Sequence, residues 1–324
     1  NGIMSNVHHR GCASGRLGRG LKIQHTRARR FDTVAAIMDT TLRAKGFLLT
    51  TLGVLILTPD ALLIRWITAD PWTLLFWRGL LQFLALVLGY LVIYRAKALA
   101  AFRSAGRYGL VVGVTYAVGN MLFIHSIRTT SVANTLLILS TSPLIAAVYS
   151  YVFLRERTPL RTWLTAATAL AGVGIIASGS LAAGGRTGDA LAFVAACCMA
   201  GSFTIIRAAR VTSMVPAVAL SGLFVAALAF PMVPDLTVTP RDAGLLLVLG
   251  GVIIPVSFAL ITLGPRYISS PEVSLLMLIE TALGPTWVWL FLGETPTLRT
   301  LLGGAVLLGA LAVHAVVSLR RGER

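Results

Sequence analysis

Charged side chains are scarce in this chain: Asp, Glu, Lys and Arg together make up 12% of it. A soluble domain carries about 25%, so there is too little charge to coat a water-facing surface. Acids are scarcer than bases, 12 Asp and Glu against 28 Lys and Arg. Lysine is confined to Lys22, Lys45 and Lys97. None of the three closes a G-x-x-x-x-G-K-[ST] loop, which excludes a P-loop nucleotide site and a pump built on one. H-E-x-x-H is also missing, which excludes the corresponding metalloprotease chemistry. Only three cysteines occur: Cys12 near the start, and Cys197 and Cys198 inside an apolar run. That spacing supports neither a disulfide framework nor a zinc site, and the adjacent pair reads as small apolar packing residues. No cofactor or metal is expected.

What the chain has in abundance is apolar length. Hydrophobic residues make up 56% of it, in runs of the size that crosses a bilayer, about 20 residues each. Ten such segments are read at approximately 46–64, 72–94, 106–125, 132–154, 162–181, 189–206, 214–232, 243–263, 271–292 and 299–318. Backbone polar groups in lipid must be satisfied within a segment, so these are helices. The expected fold is an all-α membrane protein of ten transmembrane helices.

The formal net charge of +16 invites a nucleic-acid reading that its distribution opposes. Seven of the basic residues lie in residues 1–37, against the single acid Asp32. The others form short clusters between apolar segments, the pattern of topology signals rather than of a groove that tracks phosphates. No nucleic-acid partner is expected. Residues 1–45 are expected to be a basic tail, disordered or foreign to the mature protein, with Met38 a candidate start. Residues 320–324 form the opposite tail.

Alternate connections differ in basic content. Fifteen Lys and Arg, from Arg43 and Lys45 to Arg320, Arg321 and Arg324, fall on one side. Only Arg65, Arg128, Arg186, Arg241 and Arg299 fall on the other. The positive-inside rule then places both termini in the cytoplasm of a multi-pass protein of the cell (inner) membrane.

The chain also repeats itself. FLRERTPLRTWL at 153–164 returns as FLGETPTLRTLL at 291–302, identical at seven of twelve positions. At the same offset of 138, Arg103 pairs with Arg241, Gly113 with Gly251, Arg128 with Arg266 and Ser131 with Ser269. Further upstream the offset becomes 142, where Ile64-Arg65 matches Ile206-Arg207. Two halves of five helices follow, at 46–182 and 188–319. An odd number of spans per half makes the repeat inverted, the architecture of alternating-access carriers.

Several features carry a family resemblance. Each half has an apolar helix ending in F-L-x-E, at Phe153–Glu156 and Phe291–Glu294, followed by a Gly/Ala-rich helix. Ser140-Thr141-Ser142-Pro143-Leu144 sits in the fourth segment, Leu278-Ile279-Glu280 in the ninth, and Phe76-Trp77-Arg78 at the start of the second. Together these resemble the EamA-type branch of the drug/metabolite transporter superfamily, over about residues 46–319. The family's frequent proline after the ninth-helix Glu is Thr281 here, with Pro285 one turn later. The resemblance implies a secondary transporter and leaves its cargo open.

Polar groups at membrane depth supply the candidate site. Glu280 lies about ten residues into its helix, roughly 15 Å deep at 1.5 Å per residue. A carboxylate there is costly to keep and is a functional candidate by default; it suits an amine-bearing group or a coupling proton. Asp60 follows Pro59, whose missing N–H breaks a helix in the way transporters use to expose polar backbone; the rival reading is an interfacial residue. Arg78 enters from the same side and is placed to pair with Asp60, with snorkelling to the interface as the alternative. Asn120 and Tyr116, one turn apart, suit hydrogen bonding to a substrate or across a helix contact. Trp77 is a candidate pocket wall, although tryptophan near a helix end is commonly an interface anchor. His125 and His314 read as packing residues. Glu156 and Glu294 read as structural, each open to a bridge with the following Arg161 or Arg299.

The expected function is alternating-access movement of small metabolites, amino-acid-like solutes or drugs across the cytoplasmic membrane. The chain is not expected to be an enzyme. A lipid-head-group flippase and, more distantly, an intramembrane enzyme remain as alternatives. Expected partners are a small-molecule substrate, with proton coupling open, and the lipid bilayer. The small-residue helices after each repeated phrase leave a homodimer open.

Overall fold

The computed structural model describes residues 41–95, 102–130, 132–178, 186–209, 214–293 and 298–321, except for a few side chains within those ranges. All regular structure among them is helical. Among the described residues, nine helices are long and apolar enough to cross a membrane. They are α1 Thr41–Trp66, α2 Pro71–Ile93, α3 Gly106–Ser126, α4 Thr135–Leu154, α6 Arg186–Ala208, α7 Val215–Met232, α8 Pro240–Arg266, α9 Ser270–Phe291 and α10 Leu298–Ser318. The remaining segment, α5, is the shorter apolar helix Leu160–Ile176. The tail expected over 1–45 falls mostly outside the described residues, but its last five residues belong to α1. Arg43 holds them in the helix by bonding to Glu272 and Ser318.

The outward surface is apolar. Leu88, Ile93, Phe153 and Leu290 are each between 63% and 73% exposed. An apolar surface of that extent is not stable against water and fits lipid. Fully buried Phe203, Ile206, Leu246, Leu249, Ile254 and Ile261 fill the centre.

The halves interlock. Helices α2, α4 and α5 each pack on the helix five places later, α7, α9 and α10, while α3 lies against α6 and α7. Two of these crossings are backbone to backbone: Gly79 on Gly222, and Gly172 on Gly303. Only residues without a Cβ let helices come so close.

Side-chain ties mark both ends of the bundle. At the near end, where α1 begins, Arg207 grips both carboxylate oxygens of Glu156 at 3.2 and 3.3 Å and donates to the Pro265 carbonyl. The bridge anticipated from Arg161 to Glu156 is therefore made by Arg207 instead, because the end of α6 lies against the α4–α5 turn. At the far end, Thr68 donates twice to Asp242, Thr130 to Asp189, and Arg299 to the Ser178 carbonyl. Glu294, the other proposed partner of Arg299, lies outside the described residues. The far-end loop before α8 is pinned by Thr73 on the Asp235 carbonyl. Its Asp235 carboxyl is held below the usual carboxylate range by the Thr237 hydroxyl and amide.

Three helices are interrupted, each next to a proline. In α1, Pro59 has no N–H to give the Leu55 carbonyl, which the Thr58 hydroxyl takes up at 2.7 Å. In α4, the hydroxyls of Ser140 and Thr141 do the same for Leu137 and Ile138 ahead of Pro143. In α8, a π-helical stretch at Leu249–Ile253 precedes Pro255. Such breaks are where irregular backbone comes to line a polar interior.

Candidate functional site

The proline break in α1 aims Asp60 inward, where it is 8% exposed. Opposite it, the second turn of α2 presents Arg78, whose Nη2 lies 3.1 Å from Asp60 Oδ1 and 3.2 Å from Oδ2. Only the Oδ2 contact has hydrogen-bond geometry; Oδ1 has no hydrogen-bond partner. Glu280, from the middle of α9, lies within electrostatic reach of both Asp60 and Arg78. One cation and two carboxyl groups, contributed by three helices, thus lie near one another, with Arg78 paired to Asp60.

The π-helical stretch of α8 seats Arg78 from behind. A Cβ on Gly250 would stand 3.1 Å from the Arg78 carbonyl oxygen and 3.2 Å from its Cα. Bulk at position 250 would therefore push directly on the backbone that carries the guanidinium.

On its other side, Arg78 lines a cavity of about 20 Å³ shared with Gln82, Tyr116, Asn120, Ser221 and Phe258. That volume admits about one water, so a solute needs the helices to part. Gln82 donates to the Val218 carbonyl at 2.7 Å and to Ser221 Oγ at 3.3 Å. Asn120 donates to the Tyr116 carbonyl at 3.1 Å, leaving its amide oxygen for another partner. The Tyr116 hydroxyl and the Thr262 hydroxyl are both buried without a hydrogen-bond partner, although they lie near enough to influence each other. Buried polar groups left unpaired are costly, and of these two Tyr116 lines the cavity.

The structure thus brings together five of the six candidates. Arg78, Tyr116 and Asn120 face the cavity, and Asp60 and Glu280 stand behind Arg78. Trp77 is not among them. Its indole N–H donates outward to the Leu236 carbonyl at 3.1 Å, and its ring packs edge-on against Phe76. Trp287 is likewise engaged, donating to Thr58 Oγ1 at 2.8 Å and bracing the α1 break. His125 bonds the Met121 carbonyl and packs on Trp72.

Sequence reasoning passed over two cavity residues and one acid. Gln82 lies four residues after Arg78, the spacing that puts two side chains on one helix face. Ser221 is a short uncharged polar residue inside an apolar run, and nothing in the sequence sets it apart. Glu272 ends the capping-box pattern Ser269-x-x-Glu272, legible in sequence and formed in the structure.

Comparison with known proteins agrees with this architecture. A solved crystal structure of another protein superposes with a TM-score of 0.75, covering 86% of this chain and 99% of its own, at 17% identity. That likeness speaks for the fold. No curated protein sequence matches the chain. The family model of EamA-like transporters matches twice, over residues 44–178 and 186–315, one match to each half of the bundle. The chain belongs to the EamA-like transporter family.

Proposed function

We propose that this protein is a secondary active carrier that moves small metabolites, amino-acid-like solutes or drugs across the cytoplasmic membrane by alternating access. The observation that carries this reading is the position of Arg78, paired with Asp60, within electrostatic reach of Glu280, and lining the cavity. One guanidinium in the neighbourhood of two acids has one formal charge too few to balance them. Binding a proton or an amine at Glu280 removes the deficit, so coupling and cargo act on one group. Arg78, when released from Asp60, is placed to receive a substrate carboxylate through a forked contact.

In this reading the five-helix halves, 46–182 and 188–319, are inverted with respect to each other, and ten spans cross the membrane. The near end faces the cytoplasm, as the fifteen-to-five basic bias requires, and both termini lie there. Rocking of the halves exposes the Arg78 cavity to one side at a time.

The test is uptake into proteoliposomes from a mixed metabolite panel, read by mass spectrometry, with and without a pH gradient. Net accumulation driven by the gradient supports the carrier. Chemical conversion of a panel member without vectorial movement would replace it with an enzyme.

A further inference from the structure

The polar side chains that line the Arg78 cavity differ in what they have left to offer a ligand. Gln82 has committed both amide hydrogens, one to the Val218 carbonyl at 2.7 Å and one to Ser221 Oγ at 3.3 Å. A carbonyl oxygen only accepts, so the bond to Val218 fixes which end of the amide is nitrogen. Ser221 gives its own proton to the same carbonyl at 2.8 Å. What Gln82 has left is its amide oxygen, an acceptor. Asn120 is oriented in the same way by its 3.1 Å bond to the Tyr116 carbonyl, and it keeps its amide oxygen and one N–H. The Tyr116 hydroxyl is buried without a hydrogen-bond partner and has a proton to give.

Two acceptors and one cation thus converge on a space of about 20 Å³, room for about one water. Among the described residues, Arg78 is the charged group that lines it; Asp60 and Glu280 do not. Simple ligands leave part of this set unmet. A phosphate monoester brings close to two negative charges to a single guanidinium. A plain carboxylate satisfies Arg78 but takes water from two amide oxygens without giving them a donor, which is costly. A plain amine meets those oxygens and sets a second cation beside Arg78. An α-hydroxy acid has one hydroxyl proton for two acceptors, whereas a primary ammonium has three.

Granted the carrier function proposed above, we infer that its cargo is a zwitterionic α-amino acid, with the carboxylate on Arg78 and the ammonium on the amide oxygens of Gln82 and Asn120. Arg78 and Gln82 are four residues apart on α2, about 6 Å of rise. One helix face therefore presents both contacts and keeps them together when the helices part. Leu75, Val225, Ile254 and Phe258 give the wall its apolar part, which suits an apolar side chain on the cargo. The ammonium meets neutral oxygens, and the charge deficit at Glu280 is left to the coupling proton.

Three probes built on one carbon chain test this, by calorimetric titration of the full chain in lipid nanodiscs. They are leucine, its deaminated form 4-methylpentanoate, and its decarboxylated form 3-methylbutylamine. Leucine should bind at least about tenfold more tightly than either of the others, the effect of one charge-assisted contact. That comparison needs no variant to fold. Gln82→Leu and Asn120→Leu should each weaken leucine about tenfold and leave 4-methylpentanoate unchanged, whereas a merely structural loss would weaken both probes together. A one-ended probe bound as tightly as leucine, variants that weaken leucine and 4-methylpentanoate alike, or no binding of any probe overturns the assignment. Uptake into proteoliposomes separates this from the carrier function. Gradient-driven accumulation of other compounds without leucine binding removes the amino-acid class and keeps the carrier; leucine binding without uptake keeps the class and removes the carrier.

Discussion

Gly79 and Gly222 meet backbone to backbone where α2 crosses α7. A Cβ built on either would stand 2.6 Å from the other's carbonyl oxygen. Gly79 lies next to Arg78 and Gly222 next to Ser221, and both of those neighbours line the cavity, so the crossing stands at the cavity wall.

Gly79→Ala or Gly222→Ala is therefore expected to force the two helices apart. Overpacking of this kind costs about 1–3 kcal/mol, visible as a lower melting temperature in detergent, and it displaces Arg78 as well, reducing uptake. Gly89→Ala, also in α2 but with nothing within 4 Å of its would-be Cβ, is the control and should leave both measurements near wild type. Equal effects at positions 79 and 89 would mean that the crossing is not tight.

The Asp60–Arg78 pair predicts an order of severity. Arg78→Gln leaves two carboxyl groups facing each other without a cation, and loss of one partner of a buried pair costs about 3–5 kcal/mol. Asp60→Asn is milder, because Glu280 still balances Arg78. Thermal unfolding checks the order. Asp60→Arg combined with Arg78→Asp tests whether pairing itself matters for transport; no recovery over the single exchanges leaves pairing without support.

Glu280→Gln keeps the shape of the side chain and removes its charge. Insertion and melting temperature should stay close to wild type, while gradient-driven uptake is lost or becomes insensitive to the pH gradient. Unchanged flux with unchanged pH dependence would falsify the assignment of Glu280.

At the α1 break, the Thr58 hydroxyl donates to the Leu55 carbonyl and accepts from Trp287. Thr58→Val removes both contacts and leaves a buried indole N–H unpaired, at a cost of about 1–3 kcal/mol. Thr58→Ser keeps both contacts. Melting temperatures should separate the two variants, and matching values would show that the hydroxyl holds nothing.

Much of this architecture is legible in sequence because lipid leaves few choices. Every span must satisfy its own backbone, so apolar length alone marks the helices, and the 138-residue offset divides them into halves. Asp60, Arg78 and Glu280 stand out for the same reason, since charge at membrane depth is rare. Partners that depend on how helices rotate against one another were not legible. Glu156 and Arg161 are near neighbours in sequence, yet Arg207 from another helix takes the acid. Trp77 and Arg78 are adjacent, and a helix sends neighbours about 100° apart, one outward and one to the cavity. The π-helical stretch in α8 shows neither in hydropathy nor in the repeat, because the matching Gly113 lies in an unbroken helix.

Two contacts tie α1 to α9 in the same register: Arg43 to Glu272 and Thr58 to Trp287, each spanning 229 residues of sequence. Fifteen residues of helix, about 22 Å at 1.5 Å per residue, separate them along α1. A rod fixed at two points cannot turn, whereas a rod fixed at one can. Freed at Arg43 and still held at Thr58, α1 becomes a lever whose fulcrum is the Pro59 break. Its near arm can then swing out while Asp60, just past the fulcrum, keeps its place beside Arg78.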